Sequence, residues 1–341
     1  MERLTPAPTW LDARYPADAL WRRLRAAHLD GRGAVVATLA ALVASLLAAE
    51  VATGALLALY YRPDADAARA SVQRVVTRVE YGELVRSLHA WGSHGLVAAV
   101  FALLGAALAA GMHRRPHEVA WVGLVVAWFA SLASAFTGSL LPWTQRAALD
   151  ASVAAEACAR LPLVGSLLRS LAFGRPGATD LVRVYGLHVG ALPALWALTA
   201  ATLALHALGR VAREPTGDGP RVVPTLALRG ASLATASLGA LLAVALWLPA
   251  PLGAAPAPGL PSAGDLRPSW FMAPLDALLR AAPARMLGAS GATVLVTVAA
   301  LGAVGALSLP LLDRAGNGVG RWLGLVVYAA LLGVMGLALL R

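Results

Sequence analysis

The 341-residue sequence contains no lysine and no isoleucine, one asparagine (Asn317) and one cysteine (Cys158). A lone cysteine excludes an intrachain disulfide, a cysteine-built zinc site and a CxxCH attachment. Any cofactor must therefore be held by other side chains. Charge is scarce as well: 13% of residues are charged, and all 28 basic residues are arginine. The joint loss of lysine and isoleucine reads as a GC-rich coding bias, so arginine in place of lysine carries no chemistry of its own. The formal charge of +10 and a pI near 11 could point to nucleic acid. The arginines, however, are spread over the loops between apolar runs, so lipid headgroups and partner subunits are the expected counter-charges, with no nucleic acid.

What the chain has in abundance is apolar surface. Hydrophobic residues make up 59% of it and the mean hydropathy is +0.68, which points to a polytopic membrane protein. The stretch TWLDARYPADALWRRLRAAHLDGRG is charged and amphipathic, with no apolar core before about residue 33. It is expected to lie along the membrane surface and not to act as a signal peptide. A span needs roughly 20 apolar residues. Seven stretches qualify, at approximately 33–60, 82–111, 119–141, 182–211, 225–250, 287–311 and 319–340. The connections at 62–80, 142–180 and 249–285 are long, and alternation places them all on one side. The opposite side has short connections carrying Arg114, Arg115, Arg210, Arg213, Arg221, Arg314 and Arg321, which the positive-inside rule makes cytoplasmic, together with the N-terminus. The expected fold class is an all-α polytopic membrane protein. Its parts are a surface segment (1–32), a four-helix bundle (33–211), a linker (212–224) and a three-helix domain (225–341).

Two histidines sit at matching depth. His89 lies near the start of the second span and His188 near the start of the fourth, and both spans run in the same direction from the long-loop side. An imidazole inside a span is costly without a partner, so it marks a functional hypothesis. Two facing histidines in a four-helix bundle can hold a haem iron from both sides. Two hydrogen-bonded packing residues would give the same spacing, and the pattern alone leaves both open.

The surrounding words are more specific. TGALLALYYRP (53–63), YGELVRSLHAWG (81–92), FTGSLLPWTQ (136–145), RVYGLHVGALP (183–193), RPSWFMAPL (267–275) and LPLLDR (309–314) follow in that order. In order and spacing they resemble the cytochrome b of quinol-oxidising bc-type complexes over nearly the whole chain. The resemblance implies that His89 and His188 are axial ligands of one haem b. It also implies that Gly54 and Gly138 let backbone approach the porphyrin, and that Arg86 lies near the propionates. Members of that family hold a second haem fourteen or fifteen residues deeper. Here those positions are Leu103 and either Thr202 or Leu203, with Ala40 and Leu124 in place of the matching glycines and Ala106 in place of an arginine. Such a coordinated loss looks like a filled cavity, since an empty one would be destabilising. A rescue by His206 would need His113, at a depth mismatch of roughly 10 Å. His113, His117 and His206 are therefore expected as ordinary polar residues at the cytoplasmic interface, His28 as part of the surface segment, and His94 as a packing or hydrogen-bonding residue.

The family's loop word before the sixth span is Pro-Glu-Trp-Tyr or Pro-Asp-Trp-Tyr, whose carboxylate is thought to take a proton from quinol. This chain reads Pro268, Ser269, Trp270, Phe271, and serine is no general base near neutral pH without activation. Glu50, one turn before Gly54, is a candidate proton carrier, or else a neutral or Arg-paired replacement for the family's glutamine. The expectation is a divergent, mono-haem cytochrome b without a normal Q-cycle, in the inner membrane of a bacterium. It would be at most one subunit of a quinol:electron-acceptor oxidoreductase. Quinone is a candidate ligand, and a Rieske-type protein, a c-type cytochrome or another iron-sulfur protein is the candidate partner. The alternative is a non-catalytic membrane scaffold derived from cytochrome b that anchors other redox subunits.

Overall fold

The computed structural model describes residues 17–174, 179–213, 221–256, 267–313 and 318–340. Arg314, Asn317, most of the linker and the centre of the Pro-rich loop lie outside the described residues. Among the described residues, twelve helices follow in order. They are α1 (Ala17–Ala26), α2 (Gly31–Ala58), α3 (Ala68–Arg78), α4 (Gly82–Ala109), α5 (Glu118–Leu140), α6 (Gln145–Ala159), α7 (Gly165–Phe173), α8 (Leu181–Gly186, continued through Leu187–Ala191 and Leu192–Arg213), α9 (Ala227–Trp247), α10 (Ala273–Arg280), α11 (Gly291–Leu312) and α12 (Val319–Leu340). Six of them, α2, α4, α5, α8, α9 and α11, are long and apolar enough to cross a membrane, and α12 carries a further apolar stretch, Gly320–Gly333. The seven stretches read from hydropathy are thus all helices, shifted by a few residues at their ends. The long connections, in contrast, are partly helical: α3, α6 with α7, and α10 lie within them.

Local chemistry explains where helices begin. Asp30 caps α2 by accepting from the Gly33 N–H at 2.6 Å, Thr144 caps α6 through Ala147, and Asp180 caps α8 through Val182 and Arg183. At Leu187–Ala191 the helix widens, and the Leu192 N–H reaches back to the Leu187 carbonyl. Pro193 has no N–H and its ring would crowd a carbonyl one turn back, which a widened turn accommodates. That widened turn contains His188.

In the bundle α2 packs on α4, α4 on α5, and α5 on α8. The C-terminal helices then lean on this bundle, α9 against α2 and α4, α11 against α5, and α12 against α4. Large apolar side chains such as Leu198, Leu205, Leu301 and Val326 point outward, as expected where the surrounding solvent is hydrocarbon. The two halves are tied at both ends. On the long-loop side the Arg86 guanidinium donates to the carbonyls of Ala250 and Pro251, Trp91 Nε1 donates to the Leu248 carbonyl, and the Ala250 N–H donates to Ser87. Deeper in the membrane, Trp121 Nε1 donates to the Ala306 carbonyl at 2.8 Å, and Tyr328 donates to the Phe101 carbonyl at 2.9 Å while stacking on its ring.

The short-loop end is held by one acid. Asp313 Oδ2 lies 2.8 Å from His113 Nε2 and accepts from Arg114 Nη2 at 2.8 Å, with His113 and Asp313 both buried. His113 is therefore no ordinary interfacial residue; it is an internal tie between the two halves. These bonds hold the Asp313 carboxyl below its usual value, the His113 bond first and the Arg114 bond second. The contribution is complete above the unfolded aspartate pKa and is lost as pH falls through the depressed folded value. Removing one member leaves buried polar groups uncompensated, so Asp313→Asn is expected to destabilise the chain by about 3 kcal/mol. The check is the thermal midpoint of purified protein in detergent: the gap between wild type and variant should be widest near neutral pH and should close in acid.

Candidate functional site

The site begins with a dipeptide found on two of the bundle helices, Thr53-Gly54 on α2 and Thr137-Gly138 on α5. Thr53 Oγ1 donates to the Ala49 carbonyl at 2.7 Å, and Thr137 Oγ1 donates to the Ala133 carbonyl at 2.7 Å. With its single proton committed, each hydroxyl can only accept from the imidazole beside it. His89 Nδ1 lies 3.0 Å from Thr53 Oγ1, and His188 Nδ1 lies 3.0 Å from Thr137 Oγ1. Both rings thus carry their proton on Nδ1, which leaves an unprotonated Nε2 on each.

The two rings meet edge-on from α4 and α8, with centroids 6.1 Å apart and planes at 88°. An imidazole nitrogen ligates a transition metal at about 2 Å, so a metal held between two such nitrogens sets the ring centroids about 6 Å apart. The glycines complete the fit. A Cβ built on Gly54 would lie 3.0 Å from His89 Cε1, and one on Gly138 would lie 2.8 Å from His188 Cε1, so each ring is seated directly on a glycine. This donor set, with locked tautomers and backbone drawn in from both sides, fits an axially ligated haem.

Glu50 adds a carboxylate to one side only. Its Oε2 stands 3.2 Å from His89 Nδ1, and its buried Oε1 has no hydrogen-bond partner among the described residues. No arginine pairs with it among the described residues. Arg86, expected near the propionates, spends its guanidinium on the carbonyls after α9.

Fourteen to fifteen residues deeper the bundle has a different character. Leu103 and Leu124 are buried in one apolar cluster with Trp121, Trp196 and Val100, and Leu203 packs against the same cluster. Leu203 rests on Gly123, where an added Cβ would lie 3.0 Å from its Cδ2. His206 does not meet His113; its Nε2 lies 3.2 Å from His117 Nδ1 at the end of the bundle.

The altered loop word sits elsewhere, against α6. Ser269 donates its hydroxyl to Asp150 Oδ2 at 2.5 Å and its N–H to Asp150 Oδ1 at 3.1 Å. Asp150 is wholly buried, and burial raises its carboxyl above the usual aspartate range despite the two Ser269 bonds that pull it down. Trp270 Nε1 donates to His94 Nδ1 at 3.1 Å, and Phe271 lies beside the same imidazole. Sequence reasoning passed over Asp150, although its register marks it: it falls on the buried stripe Ala147, Ala151, Ala154 of an amphipathic helix.

Comparison with known proteins is consistent with these features. Residues 34–209 match the cytochrome b/b6/petB family. The chain is 30% identical over 203 residues to the menaquinol:cytochrome c reductase cytochrome b subunit of Bacillus subtilis (strain 168), an alignment covering 56% of this chain and 91% of that one. It is 29% identical over 342 residues to the cytochrome b of Allochromatium vinosum, covering 90% and 80%. A solved structure described as a hyperthermophilic respiratory Complex III shares the fold, with a TM-score of 0.75 at 20% identity over 97% of this chain and 90% of that one.

The glycine seats give a direct test. Adding one methyl group beneath either ring overpacks it by about 1–3 kcal/mol, so Gly54→Ala and Gly138→Ala should each lower bound haem b per chain severalfold. Gly95→Ala, where the nearest atom to an added Cβ is Leu46 Cδ1 at 3.9 Å, should leave it unchanged. Haem content is read by pyridine haemochrome.

Proposed function

The chain belongs to the cytochrome b/b6 family, and on that premise we propose that it is the electron-transfer subunit of a quinone-linked membrane complex holding a single haem b between His89 and His188. The observation that carries this reading is the pair of Nδ1-protonated imidazoles at 6.1 Å, each seated on a glycine. When bound there, haem b supplies a one-electron iron couple. The chain's own residues fix that group in place. Thr53 and Thr137 orient the two ligands, Gly54 and Gly138 provide backbone close to its faces, and the packed helices keep water away.

The apolar packing of Leu103, Leu124 and Leu203 supports a single haem, since these side chains stand where a second group would need ligands and space. With one haem toward the long-loop side, no second centre relays electrons to the opposite face, and the chain does not run a normal Q-cycle by itself. The electron partner is a redox subunit docked on the long-loop side; a Rieske-type protein, a c-type cytochrome or another iron-sulfur protein supplies that chemistry. Arginine on the short connections supports a cytoplasmic N-terminus in the inner membrane of a bacterium. The Bacillus subtilis relative is named as a subunit of a menaquinol:cytochrome c reductase, and the same substrate class is proposed here.

Glu50 is a positioning residue for His89. A carboxyl oxygen that accepts from a ligand's Nδ1–H makes the imidazole a stronger donor and favours oxidised iron. Glu50→Leu, which removes that acceptor, is therefore expected to raise the haem midpoint potential in a redox titration, by roughly 60 mV for a tenfold change in relative affinity. An unchanged potential would leave Glu50 as packing only.

The stoichiometry is the decisive measurement. Pyridine haemochrome on purified protein should give one haem b per polypeptide, and His89→Ala and His188→Ala should each abolish it. Two haems per chain would overturn the filled-cavity account of Leu103 and Leu203. No haem in the wild type would favour the scaffold reading.

A further inference from the structure

The loop word at 268–271 has no acid, yet a carboxylate arrives at the same serine from another part of the fold. Asp150 comes from α6, more than a hundred residues earlier, and meets Ser269 through both of its oxygens. It is wholly buried, and no arginine stands at ion-pair distance from it among the described residues. The charged groups that act on it are Arg146 on its own helix and Asp276 on α10, one of each sign. A buried carboxylate without a cation is a costly element of a fold, and alanine at the same position of an Ala-rich helix would carry no such cost.

Ser269 is only partly buried, so the serine is the face that Asp150 presents outward. Next to it stand flat apolar surfaces. Trp270 and Phe271 lie with ring centroids 5.7 Å apart and planes at 77°, and the indole is fixed by its bond to His94. Because His94 Nδ1 accepts that bond, its remaining ring proton sits on Nε2 as a spare donor. Aromatic faces, a neutral imidazole and a hydroxyl backed by a buried base suit a planar, weakly acidic, apolar ring bearing hydroxyl groups.

We propose that Asp150, acting through the Ser269 hydroxyl, is the base that takes the first proton from a bound hydroquinone. The proposal rests on the quinol-linked reading given above. The quinol O–H bond breaks and its proton passes to Ser269 Oγ. In the same event the serine's own proton moves along its existing hydrogen bond to Asp150 Oδ2. The electron pair stays on the quinol oxygen, leaving a hydroquinone monoanion beside a protonated Asp150. Ser269 ends as it began, so it relays the proton without acting as a base. Asp150 does the work assigned elsewhere to an acid in the loop itself, and its raised affinity for protons suits it to that work.

The test uses the full chain in its native complex, loaded with haem and mixed rapidly with a water-soluble menaquinol analogue while haem reduction is followed over a range of pH. The acceptor must be ionised, so the wild-type rate should rise with pH through a range above that of an ordinary aspartate. Asp150→Asn keeps the shape and still accepts from the Ser269 N–H. It should slow reduction about 100-fold and remove the acid limb, with haem content and midpoint potential unchanged. Ser269→Ala, which leaves the backbone bond to Asp150 in place, should give the same slow profile and covers the case in which Asp150→Asn fails to fold. Wild-type rates with a wild-type pH profile in either folded variant would overturn the proposal and reduce Asp150 to a latch for the loop. Wild-type haem that menaquinol does not reduce at all would instead overturn the quinol-linked reading and this inference with it.

Discussion

Two imidazoles held in one tautomer with their centroids 6.1 Å apart are the constraint on which the bundle depends. The residues around them are arranged to hold that pair. Thr53 and Thr137 spend their only protons on carbonyls of their own helices, so neither can donate to a histidine, and both rings are driven into the same tautomer. Gly54 and Gly138 then remove the last atoms that would push the rings away from their neighbouring helices. Even the widened turn at Leu187–Ala191 serves this geometry, since it accommodates Pro193 while keeping His188 in the bundle. None of these features is useful to a pair of packing histidines, which would be better satisfied by hydrogen-bonding to each other.

The second constraint is that two helical domains stay in register around this pair. Apolar packing in a membrane is weakly directional, because lipid chains solvate a leucine as well as a protein does. Polar ties therefore set the relative position of the halves. Arg86, Ser87 and Trp91 hold the segment after α9 at one end, and His113, Arg114 and Trp121 hold α11 and the residue after it at the other. Every one of these residues lies on α4, on α5 or in the turn between them. The hairpin carrying His89 and the Gly138 seat is thus also the frame on which the C-terminal helices are mounted.

Much of this architecture was legible in the sequence, for identifiable reasons. Hydrophobic runs of membrane length define the spans because backbone polar groups must be satisfied within each helix, and α2, α4, α5, α8, α9, α11 and α12 lie where hydropathy put them. His89 and His188 stood out because intramembrane imidazoles are rare and theirs share a depth. The role of the threonines escaped notice, although the Thr-Gly word is repeated, because a hydroxyl that orients a ligand leaves no mark on composition. His113 was read as interfacial because its partner lies two hundred residues away, beyond any local periodicity. Asp150 was missed for a similar reason. Its own helix showed it on a buried stripe, but only the fold brings Ser269 to that stripe.

The Ser269–Asp150 pair shows how an acid can leave a motif without leaving the site. A carboxylate on the loop would be held by the loop's own conformation, and its reach would vary with every movement of that segment. Moved to α6, it is anchored in a helix capped by Thr144 and packed through Ala147, Ala151 and Ala154, and it becomes wholly buried. Burial withdraws it from any ligand outside, so a relay is required. Serine suits that task because its hydroxyl can accept one proton while releasing another. The same two bonds that connect the relay also hold the loop, since Ser269 donates through both its side chain and its backbone. Protonation of Asp150 weakens its hold on both donors at once. Proton uptake and the seating of Trp270 and Phe271 are thereby linked through a single residue, a coupling that a carboxylate carried on the loop could not provide.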